Sequence, residues 1–248
     1  MNRTINRGEN DKICIQASPG WVQQRTLFES NLTIADLGKP GPKESEDCLF
    51  LDVLVPQNVW KREAGRKTRA KAGGAPVLVW IYGGGYTAGS KNVQPETLIS
   101  HAEENGGEGV VFVSMNYRVG MFGFMAGPSF QQNGTANAGF YDQRLALEWI
   151  QENIHLFGGD PTRVTVFGES AGGGSIMYQI TAFGGNKGPA PFARAIAQSP
   201  GVQPITSNAQ KESIFQKTRS SAWCVRPRVR YHSRWRKRLT ECPAPTAW

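Results

Sequence analysis

Residues 164–172, Val-Thr-Val-Phe-Gly-Glu-Ser-Ala-Gly, impose the tightest constraint on how this chain folds. The β-branched run Val164–Val166 gives way to Gly168. Ser170 follows two residues later, and Ala171 opens a glycine-containing stretch with helical potential. The G-x-S-x-G spacing is that of a strand turning sharply into a helix with one serine at the apex. Ser170 must then hold a strained backbone, and side chains at Gly168 or Gly172 would collide with the chain folding past them. Glycine-rich loops contain the same spacing by chance, so the rest of the chain has to supply the strand and the helix.

Near-continuous apolar runs surround it. Leu49–Val55 reads as a buried strand stopped by Pro56, Pro76–Tyr82 as a second that runs into Gly83-Gly84-Gly85, and Gly109–Met115 as a third. The spacing predicts a helix over 137–157, with Leu147, Ile150, Ile154 and Phe157 on one stripe and Tyr141, Leu145 and Trp149 on an adjoining one. Gly158-Gly159 and Asp160-Pro161 end it. The elbow strand, a helix from Ala171 and a fifth strand over Phe192–Gln198 follow. Apolar strands alternating with helices point to an α/β fold, a mostly parallel sheet with helices on both faces.

The formal net charge of +8 is uneven. Residues 61–75 carry six basic side chains against Glu63, which fits an exposed loop, and residues 219–248 carry eight against Glu241. The body between them is mildly acidic, so the basic balance gives no expectation of nucleic-acid binding. No run approaches the ~18 apolar residues of a membrane span, and the first ten residues lack the apolar core of a signal peptide. Sequons at Asn2, Asn31 and Asn133 permit a secretory origin without requiring one.

A serine hydroxyl is a weak nucleophile until a base takes its proton, and the oxyanion that forms needs donors aimed at it. Two donor sources are visible: the Ala171 N–H, and the N–H groups of Gly84 and Gly85 at the end of the second strand. Glycine lets that loop's backbone come close to a substrate carbonyl.

Glu46-Asp-Cys-Leu-Phe-Leu-Asp52 resembles the signature of the type-B carboxylesterases. Val79-Trp-Ile-Tyr-Gly-Gly-Gly85, Asn116-Tyr-Arg118, Asp142–Trp149, Phe157-Gly-Gly-Asp-Pro161 and Phe167–Gly173 are similar to that family's further motifs, in family order. The resemblance, to the carboxylesterase/cholinesterase/fungal lipase family, runs from about Cys14 to Pro204. It implies a partial α/β-hydrolase fold and hydrolysis of carboxylic esters, small-molecule or lipid, through an acyl-serine, with no cofactor and no metal. By the same resemblance Ser170 is the nucleophile, and Gly84, Gly85 and Ala171 form the oxyanion hole. Cys14 and Cys48 look like the family's first disulfide. Tyr82 stands where lipase relatives often carry His and cholinesterases carry Tyr. Glu169 resembles the acidic neighbour that tunes the site, and a buried structural carboxylate is the alternative reading. Secretion is what the resemblance implies for location; it leaves oligomeric state open.

The family also uses an acid and a His after the serine, and neither is found in this chain. His101 and His155 precede Ser170. Glu212 and His232 follow it in the formal order, yet His232 sits among arginines that oppose an imidazolium. After about residue 217 the resemblance ends, and tryptophans, arginines, Cys224 and Cys242 follow without a helical or strand period. The expected organisation is an irregular segment at 1–45, the hydrolase core at 46–207 and a basic tail at 208–248, read as disordered or out of frame, with the chain truncated at both ends. An inactive fragment or a non-catalytic interaction module is the competing reading.

Overall fold

Alternation along Ala75–Ile81 sets the architecture. Val77, Val79 and Ile81 are buried, while Leu78 and Trp80 on the opposite face are half-buried. The computed structural model describes residues 10–17, 41–64 and 73–224. They fall into two units, one of residues 1–125 and 136–204 and the other of residues 126–135 and 205–248.

In the first unit β1 (Ile13–Cys14) pairs in parallel with β2 (Glu44–Ser45). The main sheet contains β3 (Leu51–Leu54), β4 (Ala75–Ile81), β5 (Val111–Met115), β6 (Gly159–Glu169) and β7 (Arg194–Gln198), in the order β3-β5-β4-β6-β7. β3 runs antiparallel to β5, and the other pairings are parallel. Five strands therefore stand where the apolar runs place them, within two residues at each end, except that β6 begins five residues before Val164 and ends three after Val166. The register puts Val77 opposite Val111 and Val164, and Val79 opposite Val113 and Val166. These six side chains form the floor of the core.

The helices are α1 (Gln57–Ala64), α2 (Glu96–His101), α3 (Gly120–Phe124), α4 (Ala138–Asn153) and α5 (Ala171–Ile180). Leu147 and Ile150 of α4, Ile154 just beyond it, and Ile176 of α5 cover the valine floor. Burial of each such side chain contributes roughly 1.5–3 kcal/mol. On the other face α2 lies by Trp80, Phe112 and Phe167, leaving an open apolar groove of about 430 Å³. Helix α1 corrects the expectation of a loop from residue 61, because Val59 is fully buried and anchors the turn before the basic run. All five residues of β7 are exposed. Among the described residues no helix is long and apolar enough to cross a membrane.

The second unit contains α6 (Asn208–Cys224). Its start is a reciprocal capping box: Ser207 N–H donates to Gln210 Oε1 at 2.8 Å and Gln210 N–H to Ser207 Oγ at 3.2 Å. No Gly or Pro interrupts 208–224, so the helix runs past residue 217, where the sequence pattern suggests no period.

Candidate active site

Ser170 sits between β6 and α5 with φ 56° and ψ −120°, a conformation that costs a non-glycine residue about 1–3 kcal/mol. Backbone hydrogen bonds hold it there. Its N–H donates to Gln198 O at 3.0 Å, and its carbonyl accepts the N–H groups of Gly174 at 2.9 Å and Gly201 at 2.6 Å. The neighbouring glycines are there because chains cross without clearance. A Cβ at Gly172 would overlap the Ile81 carbonyl oxygen, and one at Gly168 would come within 2.7 Å of the same atom. Helix α5 thus packs straight onto the backbone of β4.

The loop after β4 reaches the same point. A side chain at Gly83 would lie 3.2 Å from Ser170 Cβ and 2.7 Å from the Glu169 carbonyl oxygen. Gly84 (φ 102°) and Gly85 (φ 64°) occupy left-handed backbone. The Gly84 carbonyl closes the turn by accepting Thr87 N–H and Ala88 N–H, both at 3.1 Å. Among the described residues no backbone acceptor takes the N–H groups of Gly84, Gly85 or Ala171. Ala171 is also the first residue of α5, so its N–H has no intrahelical partner and stands at the positive helix end. Glu169 is exposed, which removes the buried structural carboxylate as a reading of it.

Buried aromatics and polar pairs carry this loop. Tyr82 and Tyr117 stack with centroids 4.2 Å apart, and each hydroxyl donates to the other residue's carbonyl at 2.7 Å. Burial raises both phenols well above their ordinary pKa. Tyr86, itself at φ 60°, donates its hydroxyl to Gly201 O at 2.9 Å, and burial pushes its pKa up to about 12. Below α5, Gln143 Nε2 donates to Ser175 Oγ at 3.0 Å, which donates to Ala171 O at 2.8 Å. Tyr82, Tyr117 and Gln143 lie inside the resembling motifs, but nothing in the sequence assigns any of them a supporting role, and Tyr86 and Ser175 lie outside those motifs.

The remaining candidates separate. Cys14 and Cys48 form a disulfide. His155 precedes the first residue of β6 while Ser170 follows the last, and although β6 bulges between Gly159 and Val164, its pairing along Ala75–Ile81 keeps them about 20 Å apart. His101 is exposed on α2, with Nδ1 against Thr97 O at 2.8 Å. In the second unit Glu212 is committed locally: it accepts Ser129 N–H at 2.9 Å and Gln216 Nε2–H at 2.6 Å. These bonds, Gln216 first, lower its pKa. His232 lies outside the described residues. Ser170, Ala171 and Gly83–Gly85 are therefore brought together, and neither described histidine joins them.

The sequence model of the carboxylesterase family matches residues 2–243. Carboxylesterase patB of Aspergillus clavatus is 55% identical over 180 residues, covering 71% of this chain and 32% of that protein. Lipase 2 of Geotrichum candidum is 41% identical over 206 residues, covering 77% of this chain and 34% of its own length. Among solved structures, Aspergillus niger EstA superposes with a TM-score of 0.56 at 35% identity, covering 75% of this chain and 30% of that one. A thermophilic pNB esterase superposes with a TM-score of 0.58 at 33% identity, covering 82% and 35%. The chain spans about a third of the length of the curated relatives it matches.

Proposed function

This chain belongs to the carboxylesterase family, and from that premise we propose that it carries the nucleophile half of a carboxylic ester hydrolase, with Ser170 as the attacking group. The observation that carries the reading is that an elbow and a glycine loop meet at one strained serine, with the N–H groups of Gly84, Gly85 and Ala171 lacking a backbone acceptor among the described residues. Ser170 Oγ would attack the ester carbonyl while its proton passes to a base. The carbonyl oxygen, now negative, would be held by the N–H groups of Gly84, Gly85 and Ala171 until the alcohol leaves. Water would then release the acid from the acyl-serine. Donors already fixed in direction need no reorganisation as the charge develops, and one such donor is commonly worth roughly 10²–10³ in kcat.

A catalytically silent chain is the second reading, favoured by one specific observation. Neither described histidine stands at Ser170, and the Glu212 carboxylate is used within its own unit. A fluorophosphonate probe separates the two readings. Labelling that disappears in Ser170→Ala, together with Ser170-dependent hydrolysis of a short-chain ester, supports the hydrolase. An unlabelled Ser170 without turnover supports the silent chain.

A further inference from the structure

The glycine loop beside Ser170 is gripped at its far end by one side chain. Gln16 Oε1 accepts the Gly89 N–H at 2.6 Å, and Gln16 Nε2 donates to the Gly89 carbonyl at 3.2 Å and to the Cys14 carbonyl at 2.5 Å. The pattern fixes which way the amide points, since its oxygen meets a donor and its nitrogen meets two acceptors. Gln16 so satisfies both backbone groups of Gly89, as a neighbouring strand would. The next residue adds a second tie, Ala17 N–H to Thr87 O at 2.7 Å.

Gln16 is itself held firmly. The disulfide joins Cys14 to Cys48, Ile13 N–H donates to Lys43 O at 2.9 Å, and Gln16 N–H donates to Glu44 Oε2 at 2.8 Å. The other oxygen of Glu44 accepts Gly41 N–H at 3.0 Å. At the loop's end Gly89 (φ 122°) lies so close to Tyr82 that any side chain there would overlap its ring.

The loop therefore has two fixed ends, Gly83 against Ser170 and Gly89 against Gln16. Between them the turn is closed on the Gly84 carbonyl and tied at Tyr86 to Gly120 and Gly201, and the hold on Gly89 fixes its remaining end, from which the direction of the Gly84 and Gly85 N–H groups is set. We infer that Gln16, carried on the disulfide-anchored segment, is the positioning residue that aims the Gly84–Gly85 amides at the oxyanion. The inference rests on the ester-hydrolase reading for its chemistry and on the loop's bonds for its geometry.

The test compares the disulfide-intact chain with Gln16→Leu and Gln16→Glu. The leucine removes all three side-chain bonds at similar volume. The glutamate keeps an acceptor for the Gly89 N–H and loses both donors. Amide hydrogen exchange at Thr87, Ala88 and Gly89 is expected to quicken by about tenfold in Gln16→Leu and at least as much in Gln16→Glu, whose second carboxylate oxygen would face the Gly89 and Cys14 carbonyls, with exchange in β4–β6 and the urea midpoint little changed. If the parent chain labels with a fluorophosphonate, the saturating labelling rate should fall about tenfold in Gln16→Leu, with the half-saturating concentration unchanged. Equal loop exchange in all three proteins overturns the inference. So does loop exchange that quickens only in step with β4–β6, which is what a purely structural brace gives. A labelled parent whose saturating rate survives Gln16→Leu overturns it as well. An unlabelled parent removes the hydrolase reading instead, and loop exchange alone then decides the role of Gln16.

Discussion

Arg118 and Asp142 meet side-on: Nε donates at 2.8 Å to Oδ2 and Nη2 at 2.7 Å to Oδ1, while the Arg118 backbone N–H reaches Oδ2 at 3.1 Å. One carboxylate thus joins the turn after β5 to the first turns of α4. Its side chain is 5% exposed against 39% for the arginine. Asp142 raises the guanidinium's already high pKa, so the arginine stays charged at any working pH. Replacing Asp142 by Ala removes three bonds and leaves a half-buried arginine without its carboxylate. The expected cost is about 2 kcal/mol, below the roughly 3–5 kcal/mol of a fully buried broken pair because water reaches the arginine. Urea unfolding of Asp142→Ala, Arg118→Ala and the double variant measures it. Additive losses would show that the contact contributes nothing of its own.

Gly172 and Gly185 separate crowding from backbone preference. At Gly172 an added methyl overlaps the Ile81 carbonyl oxygen, so α5 must lift from β4. Gly172→Ala is expected to cost about 3 kcal/mol, near the upper end for an overpacked core, and to lower Tm by roughly 10 °C. At Gly185 nothing lies within 4 Å and only φ of 78° opposes a side chain. Gly185→Ala should cost about 1 kcal/mol. Thermal melts of the two variants giving equal shifts would mean that α5 has room the backbone does not show.

Much of this was legible beforehand. Strands and the long helix announced themselves through apolar runs and the Leu147–Ile150–Ile154 stripe, because burial of one face leaves a period in the sequence. The elbow was legible because its glycines answer to backbone collisions, and collisions recur at fixed spacing. The Gln16 grip was not, because it joins residues 73 positions apart and a single glutamine leaves no pattern. Helix α6 was missed for a different reason: Ile214 and Phe215 have no apolar partner three or four residues away, so its sequence carries no helical stripe. Helix α1 was missed because its one anchoring side chain, Val59, is too little to make a period.

Tyr86 ties stability to alkaline pH. Its ordinary pKa of 10.0 is raised to about 12 in the folded chain by burial. A folded pKa above the unfolded one means that the unfolded chain gives up this proton first as pH rises. The contribution is complete below pH 10 and is lost as pH climbs from 10 through about 12. Tyr82 and Tyr117 shift in the same direction and add to the slope. The unfolding free energy read from urea melts should therefore fall with pH above about 10, by about 1.4 kcal/mol per pH unit for each such group. Tyr86→Phe should lose about 1 kcal/mol at neutral pH with its bond to Gly201 O and show a shallower alkaline decline. An unchanged slope in the variant would place that titration elsewhere.

Lys91 and Asp52 form a pair whose halves should not respond equally. The ammonium lies 2.5 Å from Asp52 Oδ2, with the Lys91 side chain 3% exposed and that of Asp52 34% exposed. Removing the carboxylate leaves a charge that water cannot reach, and such stranded charges cost roughly 3–5 kcal/mol unless they lose the proton. Removing the ammonium leaves a carboxylate that water can solvate. Asp52→Asn is therefore expected to destabilise by about 3 kcal/mol and Lys91→Met by about 1 kcal/mol, since methionine fills the vacated volume. Urea unfolding of both variants at neutral pH reads the difference. Equal costs would show that the ammonium is solvated by something other than Asp52.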